Sequence, residues 1–262
     1  MASAEAPTAR PILYSYWRSS CSHRVRIALN LKGACCSLFP PIWFWSHPTL
    51  VVSLITSSKL DSRAYDFSSF SAGIDYEYRA VNLLKGEQSD PEFMKLNPMK
   101  FVPALVDGDA VIGDSYAIAL YLDDKYPQRP LLPQDLKKKA LNIQIASIVC
   151  SGIQPLHNLT LVRFIEQKVG TGESIPWVQQ QIDRGFTAVE NMIKGCAGKF
   201  AMGDEVQLAD VFLAPQIFAA VTRYQIDMSN YPTLARLHDQ YMTHPAFEAA
   251  LPDRQPDAPS SA

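Results

Sequence analysis

Two hydrophobic rhythms divide this chain. In the first, short β-type runs alternate with helical ones. Residues 12–15 read as a strand, followed by a helix over 20–32 with Val25, Ala28, Leu29 and Leu31 on its apolar face and Gly33 as its stop. A second strand is predicted over 76–81, and a short helix over 91–96 with Pro91 suited to its first turn. Residues 101–106 and 110–113 read as two further strands around Asp107-Gly108-Asp109, a strong hairpin signal. Asp114-Ser115 then caps a helix over 116–126 that Pro127 ends. From Asp135 onward the period is helical almost throughout, over 134–152, 154–169, 176–196, 208–224 and 231–243. The 208–224 run is apolar on most of its faces, as expected of a helix buried on several sides. The change of rhythm at Leu131-Leu132-Pro133-Gln134 sets the boundary between an α/β domain over 11–132 and an all-α domain over 133–251.

Composition narrows the chemistry. At 262 residues the chain can bury a sizeable core, and 24 basic against 26 acidic residues leave a net charge of −2. No basic field recommends a nucleic-acid partner. The cysteines (Cys21, Cys35, Cys36, Cys150 and Cys196) are odd in number and lack a C-x-x-C pair. That argues against a disulfide framework or a zinc site and fits a reducing compartment. Neither a G-x-G-x-x-G run nor a metal-spaced histidine pair is present, so no nucleotide or metal is expected. Residues 1–11 are Ala-rich without a signal-peptide core and read as a disordered leader, and 252–259 reads as a loose tail.

The densest chemistry lies where the first strand hands over to the first helix, at Ser19-Ser20-Cys21-Ser22-His23-Arg24. A helix start presents unpaired N–H groups and a positive dipole end, which favour an anion and push a thiol held there toward its thiolate. Plain capping by the serines is the competing reading.

Tyr14-Ser15-Tyr16-Trp17-Arg18-Ser19-Ser20-Cys21-Ser22, Leu96-Asn97-Pro98-Met99-Lys100 with Val102-Pro103, and Asp114-Ser115-Tyr116-Ala117-Ile118 form one set of motifs. Leu131-Leu132-Pro133-Gln134-Asp135, Gly152-Ile153-Gln154-Pro155-Leu156-His157-Asn158-Leu159, Gly203-Asp204-Glu205-Val206 and Arg254-Gln255-Pro256-Asp257 extend it. Together they resemble the zeta class of the glutathione transferases, the class that includes maleylacetoacetate isomerase. The resemblance covers 11–33 and 74–259. It implies a thioredoxin-like N-terminal domain, an all-α C-terminal domain, and a cytoplasmic homodimer. It also implies glutathione-dependent conversion of maleylacetoacetate to fumarylacetoacetate in tyrosine and phenylalanine breakdown, with transferase activity toward small α-halo acids. In that chemistry a thiolate adds to a cis double bond, the bond rotates, and glutathione is regenerated.

By the same resemblance Ser19 is the principal thiol-activating hydroxyl, with Ser20 and Cys21 beside it, and Ser22, His23 and Arg24 belong to the glutathione site. Gln88 faces the glycine end. Val102 and a cis Pro103 pair with the peptide, against the commoner trans bond. Asp114 and Ser115 take the γ-glutamyl end, against simple capping. Gln154, Asn158, Leu159 and Thr160 approach from the helical half. Arg223 and Arg18 grip a substrate carboxylate, against a structural salt bridge for Arg223. Asp210 reads as a folding residue whose reciprocal cap is weakened by Gln207. Two other readings stay open: a catalytically silent ligand-binding protein, and a thiol transferase or dehydroascorbate reductase with Cys21 as its own nucleophile.

The departure from the family is residues 34–73, a block of 40 residues where relatives run from Gly33 almost directly into Ile74. Residues 34–58 hold no Asp, Glu, Lys or Arg but include Pro40, Pro41, Pro48, Trp43 and Trp45. A structureless loop this long is unusual in a compact domain. It reads as translated non-coding sequence forming a non-functional, aggregation-prone loop. A lid is the second reading. A membrane segment over 38–55 is not predicted, because three prolines break it.

Overall fold

The computed structural model describes residues 10–33 and 73–259. The leader over 1–9 and the body of the 34–73 block lie outside the described residues. In the N-terminal half, strand β1 (Ile12–Ser15) leads into helix α1 (Ser20–Gly33), then β2 (Glu77–Ala80), the short helix α2 (Pro91–Leu96), β3 (Ala104–Asp107), β4 (Ala110–Ile112) and helix α3 (Ser115–Lys125). The sheet order is β2-β1-β3-β4, with β1 parallel to β2 and the other pairs antiparallel. Leu13 and Ser15 point inward from β1, and α1 covers them with Val25, Ile27, Ala28 and Leu29, all fully buried.

The third strand starts later than its pattern predicts. The Val102–Pro103 bond is cis, as expected. Asn97 Nδ2 donates to Phe101 O at 2.8 Å and Gly113 O at 3.0 Å, so this turn is held by a side chain rather than by ladder bonds. The hairpin between β3 and β4 uses Gly108 at φ +63°, a conformation glycine reaches without a Cβ penalty.

The C-terminal half packs α4 (Leu136–Ser147), α5 (Leu159–Lys168), α6 (Ser174–Ile193), α7 (Leu208–Tyr224), α8 (Pro232–Met242) and the short α9 (Pro245–Glu248). The two long runs predicted over 134–169 are one helical path broken by a π-helical stretch (Ile148–Ile153) and a 3-10 turn (Gln154–His157). Pro155 cannot extend the bond ladder there. By length and apolar composition the path Leu136–Lys168 would suffice to cross a bilayer, but Ile145, Ala146, Val149 and Ile153 are buried in the protein's own core. Helix α7 is buried over most of its length, and its Asp210 carboxylate accepts from Ala201 N and Gln207 N, both at 2.8 Å, and from the Tyr241 hydroxyl at 2.6 Å. Burial still pushes the Asp210 acid up to about 6. One continuous hydrophobic cluster joins α1 and α3 to α4, α6 and α7.

The tail corrects the sequence reading: it is not loose. After the 3-10 turn Pro252–Arg254, Gln255 is buried and donates to Leu251 O at 2.8 Å. Asp257 accepts from Trp17 N at 3.0 Å and from the Tyr78 hydroxyl at 2.6 Å. Polar composition suggested solvent; instead these groups satisfy backbone and phenol donors 240 and 179 residues away.

Where the chain returns after the 34–73 block, Ile74 N–H donates to Leu29 O at 3.0 Å, closing the last turn of α1 as an ordinary C-cap residue would. A Cβ on Gly33 would overlap the backbone of Gly73 and Ile74. The two ends therefore meet. A chain lacking 34–73, with Gly33 joined to Ile74, is expected to keep this fold and to gain about 1–3 kcal/mol from the shorter closure. Chemical unfolding of both forms checks this; a deleted chain that fails to fold would contradict it.

Candidate active site at the start of the first helix

Ser19 is the N-cap of α1. Its N–H donates to Tyr16 O at 2.9 Å, its carbonyl accepts from His23 N at 2.9 Å, and its Oγ accepts from Ser22 N at 3.2 Å. Capping and anion binding do not compete here. An oxygen that accepts from the backbone keeps its own proton to donate outward. Ser19 and Cys21 are half-buried, Cys21 is a free thiol, and Ser20 lies just beneath the surface.

The next two residues turn inward. Ser22 is fully buried, and its Oγ accepts from Tyr16 N at 3.5 Å. His23 is buried edge-on against Phe218, and burial, followed by the charges of Arg26, Arg223 and Arg24, holds it well below the usual histidine range. Their backbone N–H groups are both bonded to Ser19, so neither residue offers a free backbone donor at the helix start.

The α/β half holds the other residues that the resemblance assigns to this site. Val102, at the cis turn, is buried and packs with Tyr16, Val81, Phe93 and Ala104. Asp114 caps α3 through Oδ1, accepting from Tyr116 N and Ala117 N at 2.9 Å each, so the capping reading holds for its carboxylate. Ser115 is buried, and its Oγ accepts from Arg24 Nη1 at 3.2 Å. Gln88 lies on a 3-10 turn after Gly86, with its Oε1 buried and without a hydrogen-bond partner.

The helical half brings cations. Arg223, on the last turn of α7, donates through Nη2 to the carbonyl of Arg18. Neither arginine has a carboxylate in ion-pair range among the described residues, so the salt-bridge reading of Arg223 does not hold. Burial, then the charge of Arg18, pulls Arg223 down to about 10. His157 Nε2 meets Gln216 Oε1 at 3.1 Å, and burial brings the imidazole down to about 4. Asn158 caps α5 by accepting from Leu161 N at 2.8 Å, while Leu159 and Thr160 are exposed on its first turn. No hydrogen bond joins Gln154, Asn158 or Thr160 to the α1 cluster among the described residues.

Two supports escaped the sequence reading, Arg26 and the anchoring role of Asp257, and Arg24, read there as a glutathione-site residue, ties the helix to its surroundings beside them. Arg26 donates to Trp17 O at 3.1 Å, Ala250 O at 3.1 Å, Ser15 Oγ at 3.3 Å and Tyr16 O at 3.5 Å. Asp257 holds the N–H of Trp17 in the same loop. Arg24 joins α1 to Ser115 and to Cys150 Sγ, the latter at 3.2 Å. The available signal was Arg24-Val25-Arg26 itself, two arginines inside an apolar helix. A separate hollow of about 300 Å³, lined by residues including Gln179, Asp183 and Tyr231, shares no residue with this cluster.

Comparison with known proteins follows the same lines. Residues 71–130 match the family described as glutathione S-transferase, N-terminal domain. The chain is similar to glutathione S-transferase Z1 of Arabidopsis thaliana, 52% identical over 249 residues and covering 95% of each chain. It is similar to a zeta-class glutathione S-transferase of Euphorbia esula, 50% identical over 261 residues, 99% of this chain and 98% of the relative. Among solved structures it resembles maleylacetoacetate isomerase from Anaeromyxobacter dehalogenans with GSH bound in the active site. There the TM-score is 0.74 and the identity 36%, over 95% of this chain and 98% of that one.

The buried imidazoles set an acid limit on stability. His157 titrates at about 4 when folded and near the ordinary 6.5 when unfolded, so the unfolded chain binds the extra proton between those values. Its contribution is complete above pH 6.5 and is lost as pH falls toward 4. Asp210, raised to about 6, acts in the opposite sense between about 4 and 6 and softens the slope. In urea unfolding at pH 7 and pH 5, His157→Gln is expected to lose about 2 kcal/mol less than the parent over that interval. Equal losses would contradict the assignment.

Proposed function

Because this chain belongs to the zeta class of the glutathione S-transferases, we propose that it converts maleylacetoacetate to fumarylacetoacetate with glutathione as cofactor, and that it acts as a transferase on small α-halo acids. One observation carries the reading: a half-exposed capping hydroxyl and a free thiol at the start of α1 lie on a loop whose Arg18 is joined to Arg223, two cations without carboxylate partners among the described residues. The buried, unpartnered Gln88 Oε1 and the turn at Val102 fit a peptide ligand, and the Asp114–Ser115 helix start fits a carboxylate.

When bound, glutathione supplies the sulfur nucleophile for reversible addition to a cis double bond. The Ser19 hydroxyl, its oxygen occupied by Ser22 N–H, donates its proton toward the thiol position and favours the ionised form. The backbone N–H groups opening α1 add the positive end of the helix dipole. Arg223 and Arg18 orient the substrate through its carboxylates, since a planar guanidinium binds such a group with two parallel bonds. The cytoplasmic setting and the homodimer belong to the same proposal.

Glutathione-dependent isomerisation, followed as loss of maleylacetoacetate, tests the reading. Ser19→Ala is expected to lower kcat by about 10²–10³-fold, the usual effect of removing one donor to a developing anion. Cys21→Ala is expected to retain most of the turnover. If Cys21→Ala abolishes activity while Ser19→Ala spares it, the chain is a Cys21 thiol transferase instead.

A further inference from the structure

Arg24 is 1% exposed, and among the described residues no carboxylate lies in ion-pair range of it. Its Nη1 is shared between Ser115 Oγ and Cys150 Sγ, both at 3.2 Å, while Nε and Nη2 are buried with no hydrogen-bond partner. Its carbon centre lies 5.0 Å from the centroid of the Phe212 ring, a contact that offsets part of the cost of a buried charge. The rest stands uncompensated, and a buried cation without an anion is costly to keep. Asp114, the nearest acid along the chain to Ser115, has committed Oδ1 to two backbone donors of α3. Cys150 is no substitute counter-ion, because burial pushes its thiol up to about 11.

We propose that Arg24 is a positioning residue whose missing counter-ion is the α-carboxylate of the γ-glutamyl group of glutathione, reached through Ser115. The inference rests on the reading above that the start of α3 receives that carboxylate. By donating to Ser115 Oγ, Arg24 occupies the acceptor side of the hydroxyl and turns its proton toward the incoming anion. Arg24 thus makes Ser115 a donor, and the arriving negative charge completes a pair that the protein leaves half-made. The guanidinium also links α1 to the π-helical stretch through Cys150, so the same charge spans both halves of the chain.

The test compares two ligands by calorimetry on the full-length protein: glutathione, and the analogue in which 4-aminobutyrate replaces the γ-glutamyl residue and removes only the α-carboxylate. Arg24→Met is expected to bind glutathione about 10- to 100-fold more weakly than the parent and to bind the analogue as the parent does. Equal weakening toward both ligands, or none toward either, would overturn the proposal. Should Arg24→Met not fold, Arg24→Lys is read on the same pair; a loss confined to glutathione supports the proposal and an unchanged ratio overturns it. Ser115→Ala separates the two levels. If it does not discriminate between the ligands, the reading of the α3 start fails. If it discriminates and the Arg24 variants do not, only the role of Arg24 fails.

Discussion

Arg26 spreads its guanidinium over the carbonyls of Tyr16, Trp17 and Ala250 and the hydroxyl of Ser15, and the rest of the site follows from that contact. The loop it holds carries Arg18 and Ser19 into position at the start of α1. Without it, buried carbonyls in a strand-to-helix turn would lack donors, and each such group costs about 1–3 kcal/mol. Asp257 secures the same loop from the other side through Trp17 N–H. Burial draws Arg26 down to about 10, while the nearby Tyr78, Tyr76 and Asp257 favour its charged form. A helix from the α/β half is thereby fastened to the far end of the chain, and the turn that presents Ser19 is fixed by Arg26 and Asp257.

The same helix divides its work by depth. Its first turn offers the Ser19 cap, the Cys21 thiol and backbone N–H groups to the outside, while Ser22, His23, Arg24 and Arg26 are enclosed. Positive charge accumulates around it, from Arg24 and Arg26 within and Arg223 on α7, and burial, then this charge, holds His23 well below the usual histidine range. A site so biased suits anionic ligands, which is the property shared by a thiolate, a γ-glutamyl carboxylate and an acidic substrate.

Much of this was legible in the order of residues because local rules and packing agree there. Strand β1, helix α2 and helix α7 fall where their periodicity puts them, and Asp114 accepts the N–H bonds its capping position predicts. Short-range chemistry is readable from a window of neighbours. What was not legible is long-range. The tail reads as loose because Asp257 finds its partners in β2 and the loop before α1, and no local pattern announces a contact across 240 residues. The enclosure of His23 likewise involves Phe218 of α7 rather than spacing within α1. The 34–73 block interrupts the pattern without interrupting the fold, since the helix it follows is closed by the residue it precedes.

The account stands or falls on the thiolate at the start of α1. Its most direct test is the pH titration of thiolate absorbance for glutathione bound to the parent protein and to Ser19→Ala. The parent should ionise the bound thiol clearly below the free-thiol range near pH 8.5, with the Ser19→Ala curve displaced back toward it. A bound thiol that titrates like free glutathione in the parent would contradict the account.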